Sequence, residues 1–151
     1  MSKHILVATD FSEAASAAVV QAAELAGALG AEVTLIHVLA PGGARRSIAP
    51  GSSKPPPAQV MSADDEQGAA LKRVREGALA AVAQVRLQLL SGESAAEAIV
   101  EQAERLKVDF VVLGTHGRTG LSHALVGSVA EIVVRRARCP VLVVPHSQSA
   151  R

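Results

Sequence analysis

Residues 108–136 read VDFVVLGTHGRTGLSHALVGSVAEIVVRR, and the order of the pieces inside that stretch decides the fold. VDFVVLG (108–114) is a short, continuous run of mainly branched aliphatics that stops on glycine. That is the pattern of a strand buried on both faces. Residues 114–128, GTHGRTGLSHALVGS, follow with four glycines and no acidic side chain. Ser128 and Glu131 then have the spacing of a capping box, predicting a helix with Ile132, Val133 and Ala137 inward. Arg135, Arg136 and Arg138 sit near the negative C-terminal end of that helix. A buried strand, a glycine-rich loop and a capped helix in this order make one unit of a parallel sheet.

The rest of the chain repeats the unit. HILVAT (4–9), EVTLIHVL (32–39) and PVLVVP (140–145) are further continuous apolar runs, and VRLQLLS (85–91) is a more alternating one. Helical spacing lies between them. After Ser12, a candidate N-cap, Ala15, Val19, Ala22, Ala26 and Leu29 recur every three or four residues, and Gly30 stops the pattern. Leu71, Val74, Ala78, Ala81 and Val85 recur likewise, with Val85 also claimed by a strand. Ser94 and Glu97 form another capping-box spacing, ahead of Ala95, Ala98, Ile99, Ala103 and Leu106 on one face. Strands and helices therefore alternate through right-handed crossovers. The expected fold is α/β: one domain over residues 1–151, a five-stranded parallel sheet with helices on both faces. Residues 40–61 hold five of the seven prolines and three glycines, so they are expected to form an irregular, mobile loop. Its structural reading is an exposed linker; its functional reading is a lid or docking loop using Arg45, Arg46 and Lys54.

Composition narrows the function classes. The 151 residues are 49% hydrophobic with a net charge of +1 and a pI near 8.0, so no strong field selects nucleic acid or an anionic membrane. There is no Trp, no Tyr and only Phe11 and Phe110, which removes the stacking platforms of single-strand nucleic-acid binders. A bound base would have to be gripped by aliphatic side chains and backbone. One cysteine, Cys139, cannot make an internal disulfide, which suits a reducing compartment, and an inert thiol is expected there. No apolar run reaches the ~20 residues a membrane span needs, and the start of the chain does not read as a signal peptide. The expectation is a cytoplasmic protein with no nucleic-acid or membrane partner.

The chemistry concentrates where strands end. Ligands of open parallel sheets bind beyond the carboxyl ends of strands, where the strand order reverses. Asp10 and Gly114 stand at two such ends. If the first strand lies beside that of 108–114, the loops after Thr9 and Leu113 face one another. Glycines there let backbone amides approach a ligand as an anion nest, and Gly127-Ser128 adds the positive end of a helix. Such a loop suits phosphates. A Walker loop is excluded, because no lysine follows Lys107, and so is the dinucleotide fingerprint, because the spacing is Gly114-x-x-Gly117-x-x-Gly120.

The remaining spacing is more specific: Gly114, two residues, Gly117, nine residues, Gly127-Ser128. With it the chain resembles the ATP-binding branch of the universal stress protein family, whose signature is G-2x-G-9x-G-[S/T]. ILVATDFSEAASAAV near the start, LIHV in the second strand, and residues 108–145 almost throughout resemble that family as well. The resemblance implies a Rossmann-like, adenine nucleotide alpha hydrolase-like fold and a homodimer made by the last strand, 140–145. It implies ATP as ligand, with Mg²⁺ carried on the nucleotide rather than held in a protein cage. By that resemblance Asp10 accepts from ribose or stands near the metal-bound phosphates, with Ala8 and Thr9 beside it. Val38 touches adenine, and Leu113 packs near base or sugar. Gly114 and Gly117 present amides to the phosphates, and Gly127, Ser128 and Val129 complete the cradle. Ala8 departs from the proline found there in some ATP-binding members. His116 and Arg118 flank the nest and are further phosphate candidates.

Structural alternatives stand beside these. Asp10 is also suited to cap the first helix, Ser128 to act as N-cap with or without a ligand, and His116 and Arg118 to be solvated loop side chains. His4 and His37 read as structural, lying in strands with no carboxylate or cysteine spaced for a metal. Three functions follow: a nucleotide-dependent stress-response regulator, a slow ATP hydrolase, and a nucleotide-free dimeric interaction protein. Beyond Asp10, His116 and Arg118 there is no set of residues for fast phosphoryl transfer. No catalytic residue and no protein metal ligand is assigned.

Overall fold

The computed structural model describes residues 2–39, 59–61, 66–115 and 127–146. Its elements are β1 (His4–Ala8), α1 (Glu13–Leu29), β2 (Glu32–Leu39), β3 (Gln59–Met61), α2 (Glu66–Glu76), β4 (Val85–Ser91), α3 (Ala95–Leu106), β5 (Phe110–Gly114), α4 (Ser128–Arg136) and β6 (Val141–Val144). The sheet order is β3-β4-β2-β1-β5-β6. Five strands are parallel, with β1 between β2 and β5. The order therefore reverses at β1, and the crevice beyond β1 and β5 is the switch point of the sheet.

Alternation along each strand divides the core into two layers. Ile5, Val7, Val33, Leu35, Leu89 and Val112 pack with Ala18, Val19, Ala22 and Ala26 of α1 and Leu71 of α2. Leu6, Ile36, Leu90, Val111 and Leu113 turn the other way, onto Ala98, Ile99 and Ala103 of α3 and Ala130 and Val133 of α4. Fully burying each such Leu, Ile or Val side chain contributes roughly 1.5–3 kcal/mol. Small residues on α1 let that helix lie close to the strands.

The caps follow the sequence at two of the helices. Ser12 Oγ accepts from the Ala15 amide at 3.2 Å, and Gly30 ends α1 at φ 62°. Ser94 Oγ accepts from Glu97 N at 3.3 Å and starts α3.

Four expectations are corrected. Gln59–Met61, expected to be irregular, form β3, which pairs antiparallel with Leu89–Ser91 at the sheet edge. No proline falls within those three residues, so their amides can enter a ladder. The second helix ends at Glu76, so Ala78 and Ala81 lie in a turn rather than on its face. Leu79, which the helical spacing does not include, fills the core from that turn at 1% exposure, while Ala78 and Ala81 are exposed. At α4 the N-cap is Gly127, at φ 81° and ψ 144°, and Ser128 is the first helical residue, so there is no Ser128 cap. Glu131 sends its amide to the Gly127 carbonyl and its carboxylate to Arg135 at 2.8 Å. The inward face of α4 is accordingly Ala130 and Val133, and Ile132 is 38% exposed.

Candidate functional site

Three strand ends bring apolar candidates to one face. Ala8 of β1, Val38 of β2 and Leu113 of β5 all point toward the α3 and α4 layer, Leu113 buried and the other two partly so. Ala130 in the first turn of α4 belongs to the same cluster. Aliphatic carbon from three strands and the start of a helix therefore meet on one side of the switch point.

The turn after β1 is tightly built. Thr9 donates its amide to the Ile36 carbonyl at 2.9 Å, prolonging the β1–β2 ladder by one rung. Its hydroxyl oxygen accepts from Phe11 N at 3.0 Å, and Asp10 Oδ1 accepts from Ser12 N at 3.0 Å. Asp10 is thus part of the turn that leads into α1. Such short-range side-chain acceptors stabilise turns without β-ladder partners. Phe11 takes a left-handed φ of 64°. Its ring lies 4.6 Å from that of His37, and His37 Nδ1 is 2.8 Å from the Thr9 carbonyl oxygen.

Across the crevice, Gly114 ends β5 against the first turn of α1. The Thr115 amide donates to the Val144 carbonyl at 3.1 Å, and the Thr115 hydroxyl accepts from His146 N at 3.4 Å. His146 Nε2 lies 3.3 Å from Glu13 Oε2 of α1. The ends of β5 and β6 and the start of α1 are therefore joined.

Gly127 has no side chain to cap α4, so among the described residues the amides of Ser128, Val129 and Ala130 begin the helix without one. Ser128 and Val129 are exposed. The dipole adds partial positive charge to that end. His116, Gly117 and Arg118 lie outside the described residues. So the structure gathers Ala8, Thr9, Asp10, Val38, Leu113 and Gly114 around the switch point and puts Gly127 at the head of a helix packed on the same layer.

The two strand histidines are held as structural groups. His4 Nε2 meets Thr34 Oγ1 at 2.7 Å, and burial lowers the pKa of its ring. Burial likewise raises that of Cys139, with Asp109 adding to the effect, which favours an inert thiol. Among the described residues no group of three or more His, Cys, Asp or Glu could hold a metal, and no helix is long and apolar enough to cross a membrane. The clamp between His37 and Thr9 was not visible in the sequence, since the two are 28 residues apart and no local pattern links them.

Comparison with known proteins agrees with this fold. The profile of the universal stress protein family matches residues 1–145. Universal stress protein MJ0531 of Methanocaldococcus jannaschii is 37% identical over 146 residues, covering 94% of this chain and 81% of its own length. The solved structure of MJ0577 from the same organism has a TM-score of 0.71 at 28% identity and covers 99% of both chains. A universal stress protein crystallised in complex with cAMP has a TM-score of 0.68 at 25% identity, covering 97% of this chain and 98% of its own. On the profile, the relative and the fold together, the chain belongs to the universal stress protein family.

Proposed function

We propose that this chain is an ATP-binding stress-response regulator that holds the nucleotide beyond β1 and β5, and that occupancy tunes its assembly or its choice of partner. The observation that carries the reading is the start of α4. Among the described residues no side chain caps its amides, its N-cap is a glycine at φ 81°, and it packs beside the apolar row of Ala8, Val38 and Leu113. A helix N-terminus favours a phosphate, and an aliphatic wall favours a purine face. The relative crystallised with cAMP shows that a family member of 25% identity accepts an adenine nucleotide.

In this reading Val38 and Leu113 border the base, and Ala8 leaves room at its edge. Thr9 and Asp10 face ribose or metal-bound phosphate. Gly114, His116, Gly117 and Arg118 serve the phosphates together with Gly127, Ser128 and Val129. Mg²⁺ arrives on the phosphate oxygens, since magnesium keeps much of its own hydration and needs few protein carboxylates. Turnover of ATP is slow. The protein pairs with a second copy through β6, which is an edge strand with Leu142 40% exposed.

The absence of Trp and Tyr gives a direct test. Purified, nuclease-treated protein has almost no aromatic absorbance of its own, so the adenine band reports bound nucleotide. Denaturation and mass analysis should release ATP in a near one-to-one amount. Gly117→Val, which puts a branched side chain in the loop, should abolish binding and leave the far-ultraviolet circular dichroism unchanged. Release of ADP or AMP would favour the hydrolase. A blank spectrum, with no heat on titration of Mg-ATP, would overturn the reading in favour of a nucleotide-free dimeric protein.

A further inference from the structure

We infer that His37 is a positioning residue: from the neighbouring strand it clamps the turn after β1 and so sets where Asp10 stands. The first observation is the 2.8 Å contact between His37 Nδ1 and the Thr9 carbonyl oxygen. A carbonyl only accepts, so Nδ1 carries the proton in both the neutral and the charged ring. The second is the backbone of Phe11. Among the described residues only Phe11 and Lys107 have positive φ without being glycine, and Lys107 is the C-cap of α3, an ordinary place for that conformation. Phe11 occupies no helix C-cap. A left-handed bulky residue is strained and persists only where its surroundings over-determine it.

Three contacts do that. His37 takes the Thr9 carbonyl, the Thr9 hydroxyl takes the Phe11 amide at 3.0 Å, and the Phe11 ring lies 4.6 Å from the His37 ring at 46°. Of the three groups, only His37 comes from outside the turn, so its two contacts tie the turn to β2 beside the bond from the Thr9 amide to the Ile36 carbonyl. Asp10 lies between the two residues His37 engages, and its Oδ1 receives the Ser12 amide at 3.0 Å. Without the clamp, Phe11 loses two of the three contacts that hold it at positive φ, and a shift of its backbone reorients the Asp10 Cα–Cβ bond.

The effect on nucleotide affinity rests on the proposed function; the clamp itself does not. The test uses the full chain with His37→Leu, which keeps apolar volume but removes the donor, and His37→Asn, whose amide nitrogen can take the place of Nδ1. Hydrogen exchange at the Phe11 and Ser12 amides should accelerate about tenfold in His37→Leu, while the inner residues of β1 and α1 keep wild-type protection. Mg-ATP affinity by calorimetry should fall about five- to tenfold, the scale of one lost hydrogen bond. His37→Asn should restore both to within about threefold of wild type. Wild-type exchange in His37→Leu would overturn the proposal. So would equal impairment in both variants with protection lost across the sheet, which would mean a packing role only. If the wild-type protein binds no Mg-ATP while His37→Leu still loosens the turn, the nucleotide reading falls and the clamp stands.

Discussion

Gly114 and Ala14 touch backbone to backbone: a Cβ built on Gly114 would stand 2.7 Å from the Ala14 carbonyl oxygen and 2.8 Å from its carbonyl carbon. The first glycine of the glycine-rich spacing is thus required by the approach of β5 to α1, whatever the loop binds. Neither partner atom is a flexible side-chain end, so one of the two elements must shift to admit a methyl group. Gly114→Ala should therefore lower the stability of the ligand-free protein by about 1–3 kcal/mol, the usual cost of overpacking. A lower urea midpoint at unchanged slope would show it. A wild-type midpoint would mean that the contact is looser than its geometry.

Gly127 and Ser128 separate two readings of the start of α4. Because Gly127 is the cap and Ser128 the first helical residue, Ser128→Ala should change stability by less than about 0.5 kcal/mol, as at an ordinary surface site. A true serine cap would cost about 1 kcal/mol. Gly127→Ala should cost roughly 1–3 kcal/mol, because φ 81° with ψ 144° is a conformation that side chains resist. Denaturation of the two variants side by side checks both numbers, and a larger loss in Ser128→Ala would restore the serine cap.

How far the sequence discloses the molecule depends on whether a signal is local. The continuous branched run EVTLIHVL gives β2 to the residue, and the more alternating VRLQLLS gives the bounds of β4, with the structure assigning Val85 to the strand. Ser12, Gly30 and Ser94 are legible because capping acts over three or four positions. Gln59–Met61 was hidden by the prolines before it, and the pairing that makes it a strand comes from β4, 28 residues or more away. Ala78 and Ala81 were misplaced because the chain leaves the helix after Glu76, and Leu79, outside that spacing, takes the buried position from the turn. At the site, the glycine spacing was legible, but the reason for Gly114 was not. That reason lies in Ala14, a hundred residues earlier.

His4 makes stability depend on pH in a defined direction. Its ring is buried, with Nε2 2.7 Å from Thr34 Oγ1 and Nδ1 3.6 Å from Glu32 Oε1. Burial lowers its pKa below 6.5 as the largest effect; Glu32 opposes this, Arg86 adds to it and Asp109 opposes it. The folded protein therefore holds the neutral ring, and its contribution is fully present above the unfolded value of 6.5. As pH falls, the unfolded chain takes up the proton first, and stability is lost down through the folded pKa. The denaturation midpoint should decline below about pH 6.5, and His4→Gln should flatten that part of the profile. Parallel profiles for the two proteins would assign the decline to other groups.

The proposed dimer can be tested at β6 without touching the core. β6 has β5 on one side and lies at the sheet edge, and Leu142 is 40% exposed there while Val144 is buried. An unpaired apolar edge is a template for another strand, and Pro140 and Pro145 on either side limit the pairing to about the length of β6. Two copies meeting edge to edge would bring Leu142 close to its equivalent across the pair. Leu142→Glu then puts like charges into the contact, and the variant should sediment as a monomer with an unchanged thermal transition at low concentration. Because Leu142 is exposed in one chain, loss of the dimer through unfolding would be visible as a broad or lowered transition. A sedimentation profile like that of the wild type would place the contact between copies, if there is one, on another surface.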